Sequence, residues 1–474
     1  MKIEFVNHSS FIVRSKNVSL LCDFWKEGTA FNNGWNLLCT TQLDYSDFSN
    51  ITHLWFSHEH PDHFYPQNLW QIPEEFRNNI TILFQKTLDK RVISLCRKMG
   101  FADVIELERK QLYQLDDDFE VLCEPFGSPW GEVDSWILIK ASGTVLLNLN
   151  DCEIDEKESI LELKAMLNDY VDHIDLLATQ FSYAAKQGND DDFSWIKRAQ
   201  KYNLDKVALQ AEILAPKFLL PFASFVYFCH QENHYLNKGI IKVSQVVERI
   251  KSITNPIVMY PDDKWTVGSS WDNASSIERY EERYKAVAGM QASDLEKSTS
   301  VEPGELVEAA NTFLEEMFEM ANKKQIAQVL ALSHASTKPK WKWSKLTRRM
   351  AALIAGFSGN YESGRIYVTD HYQAYELTLD GLKAVNWNPM QCHISLSAES
   401  LLFCFKQAFG GETLQVNGRF YNNYPGWRLL SEFFFLARSL EQGLKLPKSP
   451  VIESVLKMVN KNRKPMRSVI VQGQ

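Results

Sequence analysis

The chain reads Ile51-Thr52-His53-Leu54-Trp55-Phe56-Ser57-His58-Glu59-His60-Pro61-Asp62-His63 over one short stretch, and the last six of these residues hold three of the 11 histidines in the sequence. The apolar run over 51–57 predicts a buried strand. The polar hexad then falls at a strand end, where a loop on a rigid support brings ligands together. Side chains alternate along an extended chain, so His58 and His60 point to one side. Asp62 and His63 then turn back and can serve a second metal. Imidazole nitrogens with a carboxylate suit zinc or iron.

Composition bounds the rest. A length of 474 residues calls for two or three domains. Apolar residues are 45% and charged residues 23%, a globular balance that excludes wholesale disorder. The 28 Phe and 13 Trp are material for large cores or apolar pockets. A net charge of −8 gives no global electrostatic case for nucleic-acid binding. No run of 18 apolar residues exists, so no membrane span is expected. The first residues show no apolar leader core, and the eight cysteines are scattered without a C-x-x-C pair. Reduced thiols and a cytoplasmic location are expected. No P-loop, no G-x-G-x-x-G after a strand and no G-x-S-x-G is present.

Residues 1–265 read as a β-rich α/β domain. Strands are predicted at 3–6, 10–13, 18–22, 51–57, 81–85, 119–123, 135–140, 144–148, 176–180 and 257–260, with a helix over 87–99. Residues 266–349 read as a helical linker region: polar to about 303, then one long amphipathic helix over 305–330. It continues into the run Lys338-Pro339-Lys340-Trp341-Lys342-Trp343-Ser344-Lys345, which with Arg348 and Arg349 carries six positive charges. This run reads as linker whose Trp residues pack down. Residues 350–474 read as a smaller α+β domain. Its strands are predicted at 365–369, 374–379, 381–385, 394–397 and 413–417, with Asp380-Gly381 as a hairpin turn. Helices are predicted over 399–409 and 426–442.

H-x-H-x-D-H after a strand is the signature of the metallo-β-lactamase fold, and it implies an αββα sandwich for the first domain. Within that superfamily the match narrows. Asp23-Phe24-Trp25 with Gly28, Ala30-Phe31 and Gly34-Trp35 resembles a stretch of the CMP-N-acetylneuraminate hydroxylase family and its bacterial relatives. So do Asp134-Ser135-Trp136-Ile137-Leu138-Ile139, Leu146-Leu147-Asn148 with Asp151-Cys152, and Pro221-Phe222-Ala223 with His230. The resemblance covers roughly residues 1–265. It implies that Asp151 is the bridging carboxylate, catalytic together with Asp62. The last histidine ligand is then His230, with His234 as its competitor. His8 falls where a related subgroup carries a histidine near the metals. Trp130 stands where a further histidine ligand is expected, leaving Glu132 and Asp134 as alternative carboxylates. Asp23 joins His8, Trp130, Glu132, Asp134 and His234 as residues expected around the metals or against substrate. The C-terminal residues 397–402, Phe405 and 410–420 faintly resemble sterol-carrier-like domains.

The family couples this fold to oxidative hydroxylation of a nucleotide-linked N-acetyl sugar. The expectation is therefore two transition-metal ions, iron before zinc or manganese, in an oxygenase or hydroxylase acting on an N-acyl sugar or a similar small polar substrate. The family's hydroxylases carry a Rieske iron–sulfur domain ahead of the metal fold. Here the metal fold opens at Met1 and no cluster ligands occur, so a separate electron-donor protein is expected. The alternatives are a metallohydrolase acting on a phosphodiester, ester, lactone or amide, and a non-catalytic binding protein with a degenerate site. A homodimer is a further expectation, through the C-terminal domain.

Overall fold

The computed structural model describes residues 1–126, 134–183, 185–337, 356, 358–423 and 426–449. Trp130, Glu132 and the basic run at 338–349 lie outside them. The chain forms two compact units. The first is Met1–Gln187 with Asp192–Glu296, and the second is Gly188–Asp191 with Lys297–Gln474.

The strands of the first unit come in chain order. They are β1 (Lys2–Asn7), β2 (Ser10–Ser15), β3 (Val18–Cys22), β4 (Trp35–Leu37), β5 (His53–Phe56), β6 (Thr81–Gln85), β7 (Asp103–Leu107) and β8 (Leu112–Asp116). There follow β9 (Phe119–Phe126), β10 (Asp134–Ala141), β11 (Thr144–Asn150), β12 (Leu176–Gln180), β13 (Phe218–Phe222), β14 (Val226–Phe228), β15 (Asn255–Pro256) and β16 (Lys264–Thr266). One seven-stranded sheet has the order β16-β1-β2-β3-β5-β6-β7, and a second has β15-β13-β12-β11-β10-β9-β8. Each is half antiparallel and half parallel. β3, β5, β6 and β7 run parallel in the first, and β11, β12, β13 and β15 in the second.

Period-two alternation sets the layers. Leu20 and Cys22 of β3 join Phe11, Val13, Ile137 and Ile139 in the core between the sheets. Leu21 points the other way and joins Leu54, Phe56, Ile82, Ile93 and Cys96. That second core is the outer face of the first sheet, covered by α1 (Pro66–Gln71), α2 (Glu74–Arg77) and α3 (Arg91–Lys98). The second sheet is covered by α4 (Lys157–Leu167), α5 (Ser194–Leu214), α6 (Val243–Ile250) and α7 (Asn273–Ala288), whose Leu163, Val207, Val246 and Tyr280 are buried. This is an αββα sandwich. β5 is covered on both faces, which is why Leu54, Trp55 and Phe56 are all apolar despite pointing alternately to the two cores.

Three local expectations differ from the structure. The helix expected from 87 starts at Arg91, because the Asp89 carboxylate accepts the Arg91 N–H at 2.9 Å and ends the preceding turn. Residues 257–260 are not a strand; pairing ends at Pro256. The polar stretch after 266 contains α7, started by the Asp272 side chain accepting the Ala274 N–H at 3.0 Å. Only Ser276, Tyr280, Tyr284 and Val287 of that helix are buried, so its apolar stripe is thin.

The second unit begins with α8 (Pro303–Met320) and α9 (Lys323–Thr337). One continuous helix was expected here. The break comes at Ala321 (φ −151°, ψ 150°), after which the Asn322 side chain accepts the Lys324 N–H at 2.8 Å and starts a new helix. Leu306, Ala310, Phe313 and Met317 of α8 belong to the core of this unit. The stretch expected as a linker is thus divided, residues to 296 with the first unit and α8 and α9 with the second.

Its sheet contains β17 (Gly364–Val368), β18 (Gln373–Thr378), β19 (Gly381–Val385), β20 (Ile394–Leu396) and β21 (Tyr421–Asn422), in the order β19-β18-β17-β20-β21. Its later helices are α10 (Ala398–Lys406), α11 (Gly410–Asn417) and α12 (Gly426–Glu441). Residues 413–417 were expected as a strand and are helical. Two glycines explain it. A Cβ on Gly410 would lie 2.4 Å from the Cys404 Cα, and one on Gly411 2.4 Å from the Phe434 Cβ. The helix is held by an approach that only glycine permits, and Gly418 in the left-handed region (φ +68°) ends it. Gly410→Ala is expected to destabilise this unit by about 1–3 kcal/mol, the range for overpacking. A urea titration that leaves the unfolding midpoint unchanged would refute that packing.

Candidate metal centre

Parallel strands deliver their C-terminal ends to one edge of a sheet, and loops from those ends meet there. β3 ends at Asp23, β5 at Ser57-His58, β11 at Asp151 and β12 at Gln180. The β1–β2 hairpin adds His8, and β10 starts with Asp134.

Asp23 has φ +50° and is fully buried. Its N–H still pairs with the Trp55 carbonyl at 2.8 Å, so the sheet is intact up to the turn. Its carboxylate accepts from the Ser57 N–H at 2.8 Å, the Ser57 hydroxyl at 2.9 Å and Asn150 Nδ2 at 3.1 Å. His63 Nδ1 lies 2.9 Å from it. A proton on Nδ1 is the arrangement that satisfies the carboxylate, and it turns the Nε2 lone pair toward the centre.

Nε2 of His63 lies 3.2 Å from Asp62 Oδ2 and 3.3 Å from Asp151 Oδ2, yet it makes no hydrogen bond. Asp62 Oδ1 is likewise buried and without a hydrogen-bond partner. Two atoms bound about 2.0–2.1 Å from one tetrahedral metal stand roughly 3.3–3.4 Å apart. The spacing is that of ligands around a common ion. Burial depresses His63, but Asp62, Asp151 and Asp23 outweigh it and hold the imidazole well above the ordinary histidine range. In the protein alone a proton supplies the positive charge these carboxylates require, and a metal ion at the same place takes over that role.

His58 Nε2 faces His60 Nδ1 at 2.9 Å and Asp134 Oδ1 at 3.6 Å. Burial, then the charges of His63 and His60, push His58 well below the ordinary range. It is therefore neutral, the state a metal requires. Burial and the neighbouring Asp151 push Asp134 up to about 8, and the positive charge of His63 offsets them only in part. The Phe31 ring packs edge-on to His60 with centroids 5.7 Å apart. Phe31, Asn32 and Asn33 are three successive residues in the left-handed region, with φ between +52° and +55°. Such a turn costs roughly 1–2 kcal/mol per residue.

His8 is aimed by a bulge between Phe5 and Asn7 and by its own φ of +22°. Its Nδ1 accepts the Phe225 N–H at 3.1 Å, so the proton of the neutral ring is on Nε2, 3.2 Å from Asp62 Oδ2. His8 thus positions Asp62. Asp151 follows a register shift between Asn148 and Asn150, and Asn150 has φ +51°. Gln180 Nε2 donates to Asp151 Oδ1 at 3.2 Å.

Ligand atoms within 4.8 Å of one another form three groups among the described residues: His58 with His60 and Asp62, His58 with His63 and Asp151, and His8 with Asp62 and His63. His230 is not in them. Its N–H donates to Asn233 Oδ1 at 3.0 Å and its Nδ1 accepts the Glu232 N–H at 3.1 Å, which ties the ring to its own turn. His234 is not in them either; its Nδ1 lies 2.9 Å from Asn237 Nδ2 and 3.2 Å from the Phe228 carbonyl. Ser57, Asn150 and Gln180 were not anticipated. Their signal was position alone, directly beside His58 and Asp151 or at a strand end.

Comparison with known proteins bears on this geometry. Residues 2–125 match the model of the beta-lactamase superfamily domain. A stretch of 251 residues, 51% of the chain, is 23% identical to 41% of the cytidine monophosphate-N-acetylneuraminic acid hydroxylase of Xenopus laevis. A stretch of 161 residues, 32% of the chain, is 27% identical to 30% of a putative Rieske 2Fe-2S iron-sulfur protein of Mycolicibacterium smegmatis. The chain therefore spans less than half the length of these curated relatives. Among solved structures, a CmlA beta-hydroxylase mutant aligns over 56% of the chain and 53% of its own at 15% identity and a TM-score of 0.39. An isothiocyanate hydrolase from Delia radicum gut bacteria aligns over 56% and 99% at 12% identity and 0.41. Among the described residues no helix is long and apolar enough to cross a membrane. With two sheets packed face to face, helices outside them and the histidine-rich loop at the end of β5, the first unit has the metallo-β-lactamase fold, and its residues 2–125 match the beta-lactamase superfamily domain.

Proposed function

We propose that the first unit binds two transition-metal ions, iron in preference to zinc, and hydroxylates a small polar substrate of the N-acyl sugar class. The observation that carries this reading is the donor set. His58 and His60 with Asp62 make a two-histidine, one-carboxylate set, the combination typical of non-haem iron. His63 with His58 and Asp151 makes a second position, and Asp62 lies 3.2 Å from the same His63 Nε2. The hydroxylase relatives over half the chain support the same choice.

Bound there, such ions supply oxygen activation, with two electrons per turnover drawn from a separate donor protein. The chain's own residues do the positioning. Asp23 fixes the His63 tautomer, and the His8 Nε2–H holds Asp62. His58 and His63 are sealed from solvent, whereas the side chains of Asp134 and Asp151 are 18% and 16% exposed. Substrate therefore approaches from the carboxylate side.

The test is metal analysis of the full chain purified aerobically without a metal-binding tag, followed by oxygen uptake with reduced ferredoxin and CMP-N-acetylneuraminate or a free N-acyl sugar. About two iron ions per chain and substrate-dependent oxygen uptake are expected. Bound zinc with hydrolysis of a generic phosphodiester would replace this reading by the hydrolase.

A further inference from the structure

Beside the strand end that carries Asp151 lies a cavity of about 350 Å³, walled by one stripe of α5 and by Asp155. The stripe is Arg198, Lys201, Tyr202, Asp205 and Lys206, whose three- and four-residue spacing puts them on one helix face. The two acids are already engaged. Tyr202 donates its hydroxyl proton to Asp155. Asp205 pairs with Lys201 and with Arg249, the latter at 3.2 Å. Lys206 and Arg198 are left over. Among the described residues neither has a carboxylate within 4.0 Å. Arg198 is exposed and free to adjust. Lys206 is only 8% exposed.

A buried ammonium without a close partner is costly, and side chains of this kind are retained where something else supplies the negative charge. Burial lowers the affinity of Lys206 for its proton, and the more distant carboxylates of Asp151, Glu153 and Asp155 oppose that effect. Any cation held by Asp151 removes part of this compensation and increases the demand for an anion in the cavity.

We propose that this cavity is an oxyanion subsite, in which Lys206 and Arg198 bind a carboxylate or phosphate group of the substrate and hold the remainder of it toward Asp151. The subsite adds a substrate feature, an anionic group, to the function proposed above. Its geometry does not depend on whether the metals hydroxylate or hydrolyse. Lys206 sets the depth, since it cannot follow a ligand outward, whereas Arg198 closes over the group from solvent. Asp155 faces the pair and disfavours a second anion.

The experiment reads anion binding, so that it stands or falls apart from catalysis. Metal-loaded full chain is titrated calorimetrically with inorganic phosphate and, separately, with acetate. Lys206→Met and Arg198→Gln are compared with wild type at equal metal content. The expected result is binding by wild type that weakens roughly tenfold or more in each variant while the metal content is unchanged, with Lys206→Arg retaining most of it. Arg198 is on the surface, so its variant carries the test even where Lys206→Met does not fold. Equal affinity in wild type and both variants would assign the anion to the metals and overturn the subsite, as would no binding by wild type up to ~50 mM. Tighter phosphate than acetate binding identifies a phosphate subsite, and the reverse a carboxylate subsite. Loss of anion binding with hydrolase chemistry intact would keep the subsite and reject the hydroxylase.

Discussion

Alanine at both His60 and Asp151 is expected to leave a folded chain that keeps less than about a tenth of the wild-type metal. Each substitution removes a ligand from a different position. His60 faces His58 at 2.9 Å, and Asp151 faces His63 at 3.3 Å. Loss of even a supporting partner of a ligand costs about 10–100-fold in metal affinity, and the loss of two ligands exceeds that. Neither side chain holds up the core. His60 is partly exposed, and Asp151 accepts a single side-chain hydrogen bond, from Gln180 at 3.2 Å. Removing two groups from a cluster crowded with carboxylates also relieves repulsion, notably on Asp134. Metal content by mass spectrometry of the elements, with circular dichroism as the control for folding, decides the matter. Comparison of melting points must use chelated proteins, because metal that binds only the native state stabilises it by mass action. Full metal content in the double variant rejects the ligand assignment.

Asp23→Ala is expected to cost about 3–5 kcal/mol of stability and most of the metal affinity. The residue touches no proposed metal position. It accepts from the Ser57 N–H, the Ser57 hydroxyl and Asn150, and it orients His63, all without access to solvent. Its removal leaves those donors buried and unsatisfied, each at about 1–3 kcal/mol when nothing replaces the lost bond. Asp23→Asn separates the two roles. The amide keeps the shape and one acceptor oxygen, so much of the stability returns. It no longer attracts a proton to His63 Nδ1 as a carboxylate does, and an amide donor facing Nδ1 favours the tautomer with its proton on Nε2, where the metal belongs. Metal affinity is expected to fall about 10–100-fold in this variant. Stability is read from urea unfolding of the chelated protein, and affinity from competition with a chromophoric chelator. An Asn variant that binds metal as tightly as wild type would refute the tautomer argument.

The histidine hexad and the apolar strand before it were legible from residue types alone. Ligand chemistry demands imidazole and carboxylate, and a strand covered on both faces demands an apolar run. The sandwich followed from the same stretch through the metallo-β-lactamase signature. Short-range patterns were less informative where polar residues carry a thin buried stripe, as in α7, or where glycine serves helix packing, as at Gly410 and Gly411. The ligand set beyond the hexad depended on distances across the sheets. Spacing along the chain could not show what holds His230 and His8, because the bonds of His230 to Asn233 and Glu232 and of His8 to the Phe225 N–H and Asp62 form only once the loops are folded. Likewise, Lys206 is one lysine among many on paper. It becomes a candidate ligand-binding group only because folding buries it beside a strand end while the nearby acids are taken by other partners. Residue chemistry along the chain named the candidate metal centre, and the convergence of strand ends, with the desolvation it imposes, set which outlying side chains lie beside it.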